Sequence, residues 1–207
     1  MDSWTALALL YYFLFAVVVE SVPVSHPPVE LREAAERAKA LVEKILRDLP
    51  PAHAATVSTE GLTLDPSPQT PNLQMMVTSL GIPPAPVLKP LSDRFTKDMC
   101  VSRMSVGCRL YQGLLGVLSD RLGGLTNLRA DLSDLLTHIN KMKEAAPLGA
   151  EGPEQTWGRD LASRLTGNYE VQVAAHVTLT QLRSFCHDLI RSLRAIATYR
   201  RRAAGAP

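Results

Sequence analysis

The sequence predicts an all-α protein built as a bundle of four amphipathic helices, and the placement of proline is the first reason. Proline is poorly tolerated inside helices, and three long segments of the 207-residue chain lack it: residues 29–49, 91–146 and 154–206. Apolar residues recur every three or four positions in these segments, which is the period of a helix with one buried face. Strand signals are weak, because regular alternation of apolar and polar residues is rare.

The first helix is predicted over residues 29–49. Pro27 and Pro28 precede it, and Pro50 and Pro51 should end it. Its apolar stripe consists of Leu31, Ala34, Ala35, Ala38, Leu41, Val42, Ile45 and Leu49.

The other segments supply three further helices. Gly123 and Gly124 form a turn signal, so we predict one helix over residues 91–119 and another over 125–146. The last helix is predicted over residues 157–202. The stripes of these helices are Phe95, Met99, Cys100, Met104, Leu110, Tyr111, Leu114, Leu115 and Leu118; Leu125, Leu128, Leu132, Leu135, Leu136, Ile139 and Met142; and Leu161, Leu165, Ala174, Val177, Leu182, Phe185, Cys186, Leu189, Ile190, Leu193 and Ile196.

The lengths of the connections indicate how the helices run. The tight Gly-Gly turn makes the second and third helices antiparallel neighbours, whereas the link over residues 50–90 is long enough to let the first two run parallel. Loops of this length are uncommon in compact domains. They occur in bundles of up-up-down-down topology, which need long crossover loops, and we predict this arrangement.

The N-terminus carries an apolar run that is too short for a comfortable membrane span. Residues 4–19 are almost all apolar, and the small Ser21 follows. We therefore predict a signal peptide over residues 1–21 with cleavage somewhere in 20–25, and a secreted, extracellular single domain over 22–207. No second long apolar run follows, so we expect no membrane insertion after cleavage.

The sequence favours surface recognition over chemistry. Its five histidines form no HExxH or other metal-ligand spacing, and no glycine-rich phosphate loop is present. The net charge of +2 is spread along the chain, without a basic patch for nucleic acid. We expect no enzyme activity, no cofactor, no metal and no nucleic-acid partner.

Four stretches carry a resemblance to a known family. They are SLGIPPAP at residues 79–86, LYQGLL at 110–115, LRADLSDLLTHI at 128–139 and LRSFCHDLIRSLRAIA at 182–197. Together they resemble the granulocyte colony-stimulating factor family, within the interleukin-6 group of cytokines, as a divergent, fish-like member. The resemblance implies a growth factor with a four-helix bundle of long-chain cytokine type. Such a monomeric ligand would bind and dimerise a class I cytokine receptor, and so drive proliferation and differentiation of granulocytic and myeloid precursors in the immune response.

The resemblance also implies a major receptor site. Asp131 and Asp134 match two acidic positions of the family's third helix, and both lie off the predicted apolar stripe, so we expect both acids to point outward. The first-helix partner depends on the alignment. AERAKAL supplies Glu36 with Lys39, whereas LVEKILRD supplies Glu43 with Lys44.

A second, smaller receptor contact is also implied, by an aromatic residue early in the last helix. Tyr169 matches it, whereas the acid that the family places before SLGIP is replaced by Asn72.

The three cysteines depart from the family. Cys100 matches half of a family disulfide whose mate falls at Pro90, and the family's other bridge has no cysteine here. Cys100 and Cys108 are separated by eight residues, a rise of about 12 Å along a helix, so they cannot pair within one intact helix. Two alternatives remain: three free buried thiols, or a bridge from Cys108 to Cys186.

A single glycine interrupts the second helical stripe. Gly113 costs about 1 kcal/mol relative to alanine in a helix. We expect it to permit the close approach of a neighbouring helix.

Two other functions fit the periodicity and the export signal. One is an interleukin-6-like cytokine that signals through a shared receptor chain. The other, from a different class, is a secreted lipid-binding helical bundle, which would show broad amphipathic faces edged with lysine or arginine.

Overall fold

The computed structural model describes residues 29–64, 71–144 and 157–198, and within these ranges the chain forms helices and no strand, so the all-α prediction is confirmed there. The predicted signal peptide lies outside the described residues, as does the chain beyond residue 198. The helices of the described ranges are α1 (Val29–Thr56), α2 (Pro71–Leu80), α3 (Lys97–Ser119), α4 (Thr126–Glu144), α5 (Trp157–Arg164) and α6 (Asn168–Thr198).

The first helix continues beyond its predicted end. Pro50 and Pro51 lie inside α1, so the prediction that proline ends the helix at residue 49 is wrong by about two turns. Interior proline removes helix hydrogen bonds and costs about 3 kcal/mol. The turns that follow offset this cost by burying Ala52, His53 and Thr56.

The helix α3 starts later than its predicted start at residue 91. Thr96 is extended and caps the helix, because its side chain accepts a hydrogen bond from the backbone N–H of Met99. Before the cap, Ser92 and Phe95 pair their backbones in a tight turn. Phe95 is still buried, as its place in the apolar stripe indicated, and the Arg103 guanidinium lies 5.0 Å from its ring centre.

A short turn joins α3 to α4 at the predicted place. Gly124 has φ +89°, a left-handed conformation that glycine adopts without a Cβ penalty. Of the seven apolar positions predicted to face the core from Leu125 to Met142, six are at most 1 % exposed and Leu136 is half-buried.

The last predicted helix is divided into two. The helix α5 ends at Arg164, and α6 begins at Asn168 after three residues without helical structure. The long crossover also contains a helix, α2, whose first residue is Pro71. Proline is well suited to this position because the first helical N–H has no intrahelical partner.

Four helix pairs form the main body of the bundle: α1 with α4, α1 with α6, α3 with α4, and α3 with α6. The leucine, isoleucine and valine side chains of their facing stripes form one continuous core. Each such side chain contributes roughly 1.5–3 kcal/mol when it is fully buried, so this core accounts for most of the stability that helix propensity alone cannot supply.

Polar contacts show which helix ends meet. At the end of α1, His53 Nε2 lies 3.1 Å from Nδ1 of His176, near the start of α6. Burial lowers the pKa of both histidines, since it disfavours the charged ring. Early in α3, the hydroxyl of Ser105 donates to Oδ1 of Asn140, late in α4, at 3.2 Å.

A third polar contact fixes the chain just beyond α1. The side-chain oxygen of Gln172 accepts hydrogen bonds from the backbone N–H groups of Ser58 and Thr59, both at 2.9 Å. The hydroxyls of the same two residues also donate to it. The first residues of the crossover are therefore held against the start of α6.

Candidate functional site

The surface where α1 lies against α4 brings together several of the residues predicted to bind a partner. Asp131, Asp134, His138 and Lys141 follow one another at intervals of three and four residues, so they form one row along α4. Residues from the first half of α1 line the other side. We call this surface the α1–α4 face.

One end of the α1–α4 face is closed by an ion pair. The Lys44 ammonium donates to Oδ2 of Asp131 at 2.5 Å and also lies 3.5 Å from Oδ2 of Asp48. The hydrogen bond from Asp131 raises the pKa of Lys44. Asp131 is only 8 % exposed, so the expectation that this acid points outward is wrong.

The burial of Asp131 follows from the number of neighbours that α4 has. The helix α4 packs against both α1 and α3, so its buried surface is wider than the leucine stripe. Asp131 lies three residues after Leu128 and four before Leu135, on the flank of that stripe. The helix α1 covers this flank, and Lys44 supplies the opposite charge that a carboxylate needs there.

The other end of the α1–α4 face is an open groove. It has a volume of about 400 Å³ and is lined by Arg37, Ala40 and Leu41 from α1 and by Asp134, Thr137, His138 and Lys141 from α4. Asp134 is exposed, as predicted. The groove is large enough to receive one or two side chains of a partner. We call it the Arg37–Lys141 groove.

The charges of the Arg37–Lys141 groove are unequal. The pKa of His138 is lowered, first by burial and then by the charges of Lys141 and Arg37, while Asp134 acts in the opposite direction. His138 is therefore neutral at pH 7. Two cations and one anion remain around an apolar floor formed by Ala40 and Leu41.

The first-helix candidates lie beside the groove. Glu36 pairs with Lys39 at 3.1 Å, and Glu43 lies two turns further along the same side of α1. Glu36 and Glu43 are both exposed. Both alignments of the first helix therefore place an exposed acid on the side of α1 that carries Ala40 of the groove.

The predicted second contact lies elsewhere. Tyr169 is 46 % exposed in the first turn of α6, three residues before Gln172, which contacts the chain just beyond α1. Asn72 is exposed in α2. The structure thus brings Asp131 and Asp134 to the α1–α4 face. Glu36, Lys39 and Glu43 lie on α1 outside the groove lining, and Tyr169 occupies a separate part of the surface.

Of the residues that line the groove, sequence reasoning proposed only Asp134 as a contact and overlooked six: Arg37, Ala40, Leu41, Thr137, His138 and Lys141. A usable signal existed for two of them, because His138 and Lys141 continue the helical row of Asp131 and Asp134. Arg37 and Leu41 carried no such signal, since their place depends on how α1 packs against α4.

The contact between α3 and α6 has a different character. A Cβ atom added at Gly107 would lie 2.3 Å from the Phe185 ring, and the centre of that ring is 5.5 Å from the Tyr111 ring. Gly113 is exposed and has no atom within 4 Å of an added Cβ. The expectation that Gly113 permits close helix approach is wrong, and Gly107 has this role.

The three cysteines are free and buried in the structure, so Cys108 and Cys186 form no disulfide there. Burial raises the pKa of Cys186 to about 12 and that of Cys108 further still. The thiolate is the species that attacks in disulfide formation. Both thiols therefore react slowly while the bundle is folded.

Two absences hold for the described ranges. Within 29–64, 71–144 and 157–198, no cluster of three or more histidine, cysteine or acidic residues could hold a metal ion. In the same parts of the chain, no helix combines the length and the apolar character needed to span a bilayer.

Comparison with known proteins gives no match, either to a protein-family model or to a curated protein sequence.

Proposed function

We propose that this chain is a secreted cytokine of the long-chain four-helix type, which binds a class I cytokine receptor and drives proliferation and differentiation of granulocytic and myeloid precursors. Two kinds of observation support the proposal. The four quoted stretches resemble the granulocyte colony-stimulating factor family. The packing of the helices fits the topology that such a cytokine requires.

The polar contacts support an up-up-down-down arrangement. His53 at the end of α1 meets His176 near the start of α6, and Gly124 at the start of α4 lies against Ala55 and Thr56 at the end of α1. The helix α1 would therefore run antiparallel to both α4 and α6.

The helix α3 fits the same arrangement. Ser105 contacts Asn140, which sets the start of α3 beside the end of α4. Gly107 contacts Phe185, and Cys100 lies by Ser192, so α3 would also be antiparallel to α6. Two helices that are antiparallel to the same neighbours are parallel to each other, as the long crossover between α1 and α3 allows.

The observation that carries the proposal is the α1–α4 face. It presents Asp134 on α4 beside a groove with an apolar floor, and α1 carries the exposed acids Glu36 and Glu43 outside the groove lining. Receptor recognition needs charged groups that select the partner, arranged around a desolvated anchor. We assign the main receptor contact to this face, with Lys39 as a basic neighbour, and a second receptor contact to Tyr169. One monomeric ligand with two contacts can dimerise its receptor.

Binding of the secreted full-length chain to class I receptor ectodomains tests the proposal. Replacing Asp131 and Asp134 together with alanine is expected to cost about 1–3 kcal/mol of binding free energy. Because Asp131 also pairs with Lys44, its replacement could disturb the packing of the two helices. The affinity of Asp134→Ala alone is therefore measured as well, since this side chain is exposed, and circular dichroism checks the fold of each variant. Asp93→Ala, an exposed acid outside this face, is the matched control.

The outcomes separate the alternatives. Binding that Asp134→Ala leaves unchanged would remove the α1–α4 face from the receptor site. Capture by a shared interleukin-6-type signalling chain in place of a granulocyte colony-stimulating factor receptor would favour the interleukin-6-like alternative. A gain of helix on adding liposomes, without receptor binding, would favour the lipid-binding bundle.

A further inference from the structure

The Arg37–Lys141 groove differs from the acidic site that the resemblance implies. Such a site would use Asp131 and Asp134 to attract basic receptor groups. Asp131 is buried, and its charge is compensated by Lys44 at 2.5 Å. Its carboxylate is therefore poorly placed to meet a partner.

The charges that remain accessible in the groove are mainly positive. Arg37 is exposed and pairs at 2.5 Å with Glu33, whose side chain is 57 % exposed. An exposed pair of this kind contributes little, because water screens it, so Arg37 can exchange Glu33 for a partner carboxylate at small cost. Lys141 is exposed, and within the described ranges no hydrogen bond or ion pair is recorded for it.

The position of the apolar floor adds a second requirement. Ala40 and Leu41 line the groove together with Arg37 and the α4 row; Leu41 is half-buried and Ala40 is exposed. An aliphatic side chain placed there would lose contact with water, which favours binding in proportion to the area buried. Arg37 and Lys141 then lie beside a contact from which water is excluded. A carboxylate is attracted to them more strongly there than in open water.

We infer that the Arg37–Lys141 groove receives a segment of the receptor that carries an acidic side chain next to an aliphatic one, with the carboxylate held by Arg37 and Lys141. This inference rests on the proposed function for the identity of the partner. Asp134 meets a basic group of the same segment. The groove therefore selects a receptor segment that carries both an acidic and a basic group around an aliphatic side chain.

The decisive experiment is charge reversal at Lys141, measured as the receptor affinity of the full secreted chain. Lys141→Glu is expected to weaken binding at least about tenfold, because it sets like charges against each other. Arg37→Gln is expected to weaken binding by a smaller factor. Arg109→Glu makes the same charge change at an exposed position of α3 and should alter affinity by less than about twofold. If the Lys141→Glu variant binds the receptor as tightly as the parent chain, or more tightly, the inference is overturned. A site that used only acidic side chains to attract basic receptor groups would bind more tightly after this change.

A second measurement tests the groove without a receptor. Two short peptides are titrated into the isotope-labelled protein, one with leucine beside glutamate and one with leucine beside lysine. The glutamate peptide is expected to shift the amide signals of Leu41, Thr137 and Lys141 more than the lysine peptide does, and Lys141→Glu should reverse this order. Equal shifts from both peptides, or none, would contradict the inferred charge selectivity.

The two measurements keep the proposals apart. Receptor binding that Lys141→Glu leaves unchanged overturns the inference while the proposed function stands. Selective peptide shifts without any receptor binding overturn the proposed function and support the groove chemistry. Failure of both measurements overturns both proposals.

Discussion

Two helix contacts of the same bundle differ in what holds them together. Between α3 and α6, the Phe185 ring fills the space left by Gly107, and both residues are buried. Between α1 and α4, a lysine and a largely buried aspartate pair at 2.5 Å beside an open groove. The first contact is apolar and allows one close fit, whereas the second carries charge to the surface.

The difference shows how one fold can serve two requirements. Close packing of apolar groups gives a unique arrangement of helices. Charged groups at the partly open α1–α4 face contribute less to stability, because water competes for them, but they remain available to a partner. We therefore expect changes at the α3–α6 contact to act on folding, and exposed changes at the α1–α4 face to act on binding.

The largest expected effect is that of Phe185→Ala. Removing a fully buried aromatic side chain leaves a cavity and costs about 3–5 kcal/mol of unfolding free energy. Leu41→Ala at the half-buried groove is the matched change and is expected to cost less than about 2 kcal/mol, since less area returns to water. Urea unfolding followed by circular dichroism measures both. Equal losses would break the comparison between the two contacts.

The next effect separates two glycines of α3. Gly107→Ala forces a methyl group against the Phe185 ring, and overpacking of this kind costs about 1–3 kcal/mol. Gly113→Ala meets no neighbour within 4 Å, so it should gain up to about 1 kcal/mol from helix propensity. Thermal unfolding of the two variants should therefore shift in opposite directions. Stabilisation by Gly107→Ala would show that α3 and α6 are less closely packed.

A pH dependence probes the α3–α6 contact from its chemistry. Burial holds the pKa of Cys186 at about 12, above its ordinary value of 9.0. Between these two pH values the unfolded chain releases a proton that the folded chain keeps, so the free energy of unfolding falls as pH rises. Lys44, whose pKa is also raised, loses its contribution in the same direction at higher pH.

The measurement for this pH dependence is the urea midpoint at a series of alkaline pH values. Cys186→Ala shifts the midpoint by a constant amount through the lost side-chain volume, so the slope with pH is compared and not the midpoint itself. We expect a smaller slope for Cys186→Ala than for the parent chain. An identical slope would mean that this thiol is accessible to water in the folded protein.

The smallest expected effect distinguishes the two acids of α4. Asp131→Asn loses the ionic contact with Lys44 and should lower the unfolding free energy by less than either core change above. Asp134→Asn, at an exposed position, should stay within about 0.5 kcal/mol of the parent chain. Chemical unfolding at low salt, where surface charges are least screened, gives the clearest measurement. Equal losses would place both acids in the same environment.

The sequence was sufficient to predict α1, α3, α4 and α6 and most of their buried faces, but not the short α2 or the break before α6. Leu128, Leu132 and Ile139 are buried where the period of the stripe placed them, and Gly124 turns the chain as its position indicated. These features are local, because they depend on spacing along one helix and on the conformational freedom of one residue.

The remaining features depend on contacts between helices. The burial of Asp131 requires α1 to cover the flank of α4, and the role of Gly107 requires Phe185 on another helix. The continuation of α1 through Pro50 depends on what the following turns bury. Spacing along one chain segment carries no information about a neighbour about eighty to ninety residues away, so only Asp134 and the first-helix acids of the candidate site could be predicted to be exposed.

The meeting of Gly107 with the Phe185 ring also sets a rule for evolution. In any chain that shares this bundle, the position of Gly107 cannot carry a larger side chain while the position of Phe185 carries a large ring. A substitution at one of the two positions therefore requires a compensating substitution at the other. Distant relatives whose overall similarity has been lost would then still carry a small residue facing a bulky one, and this paired substitution offers a way to recognise them.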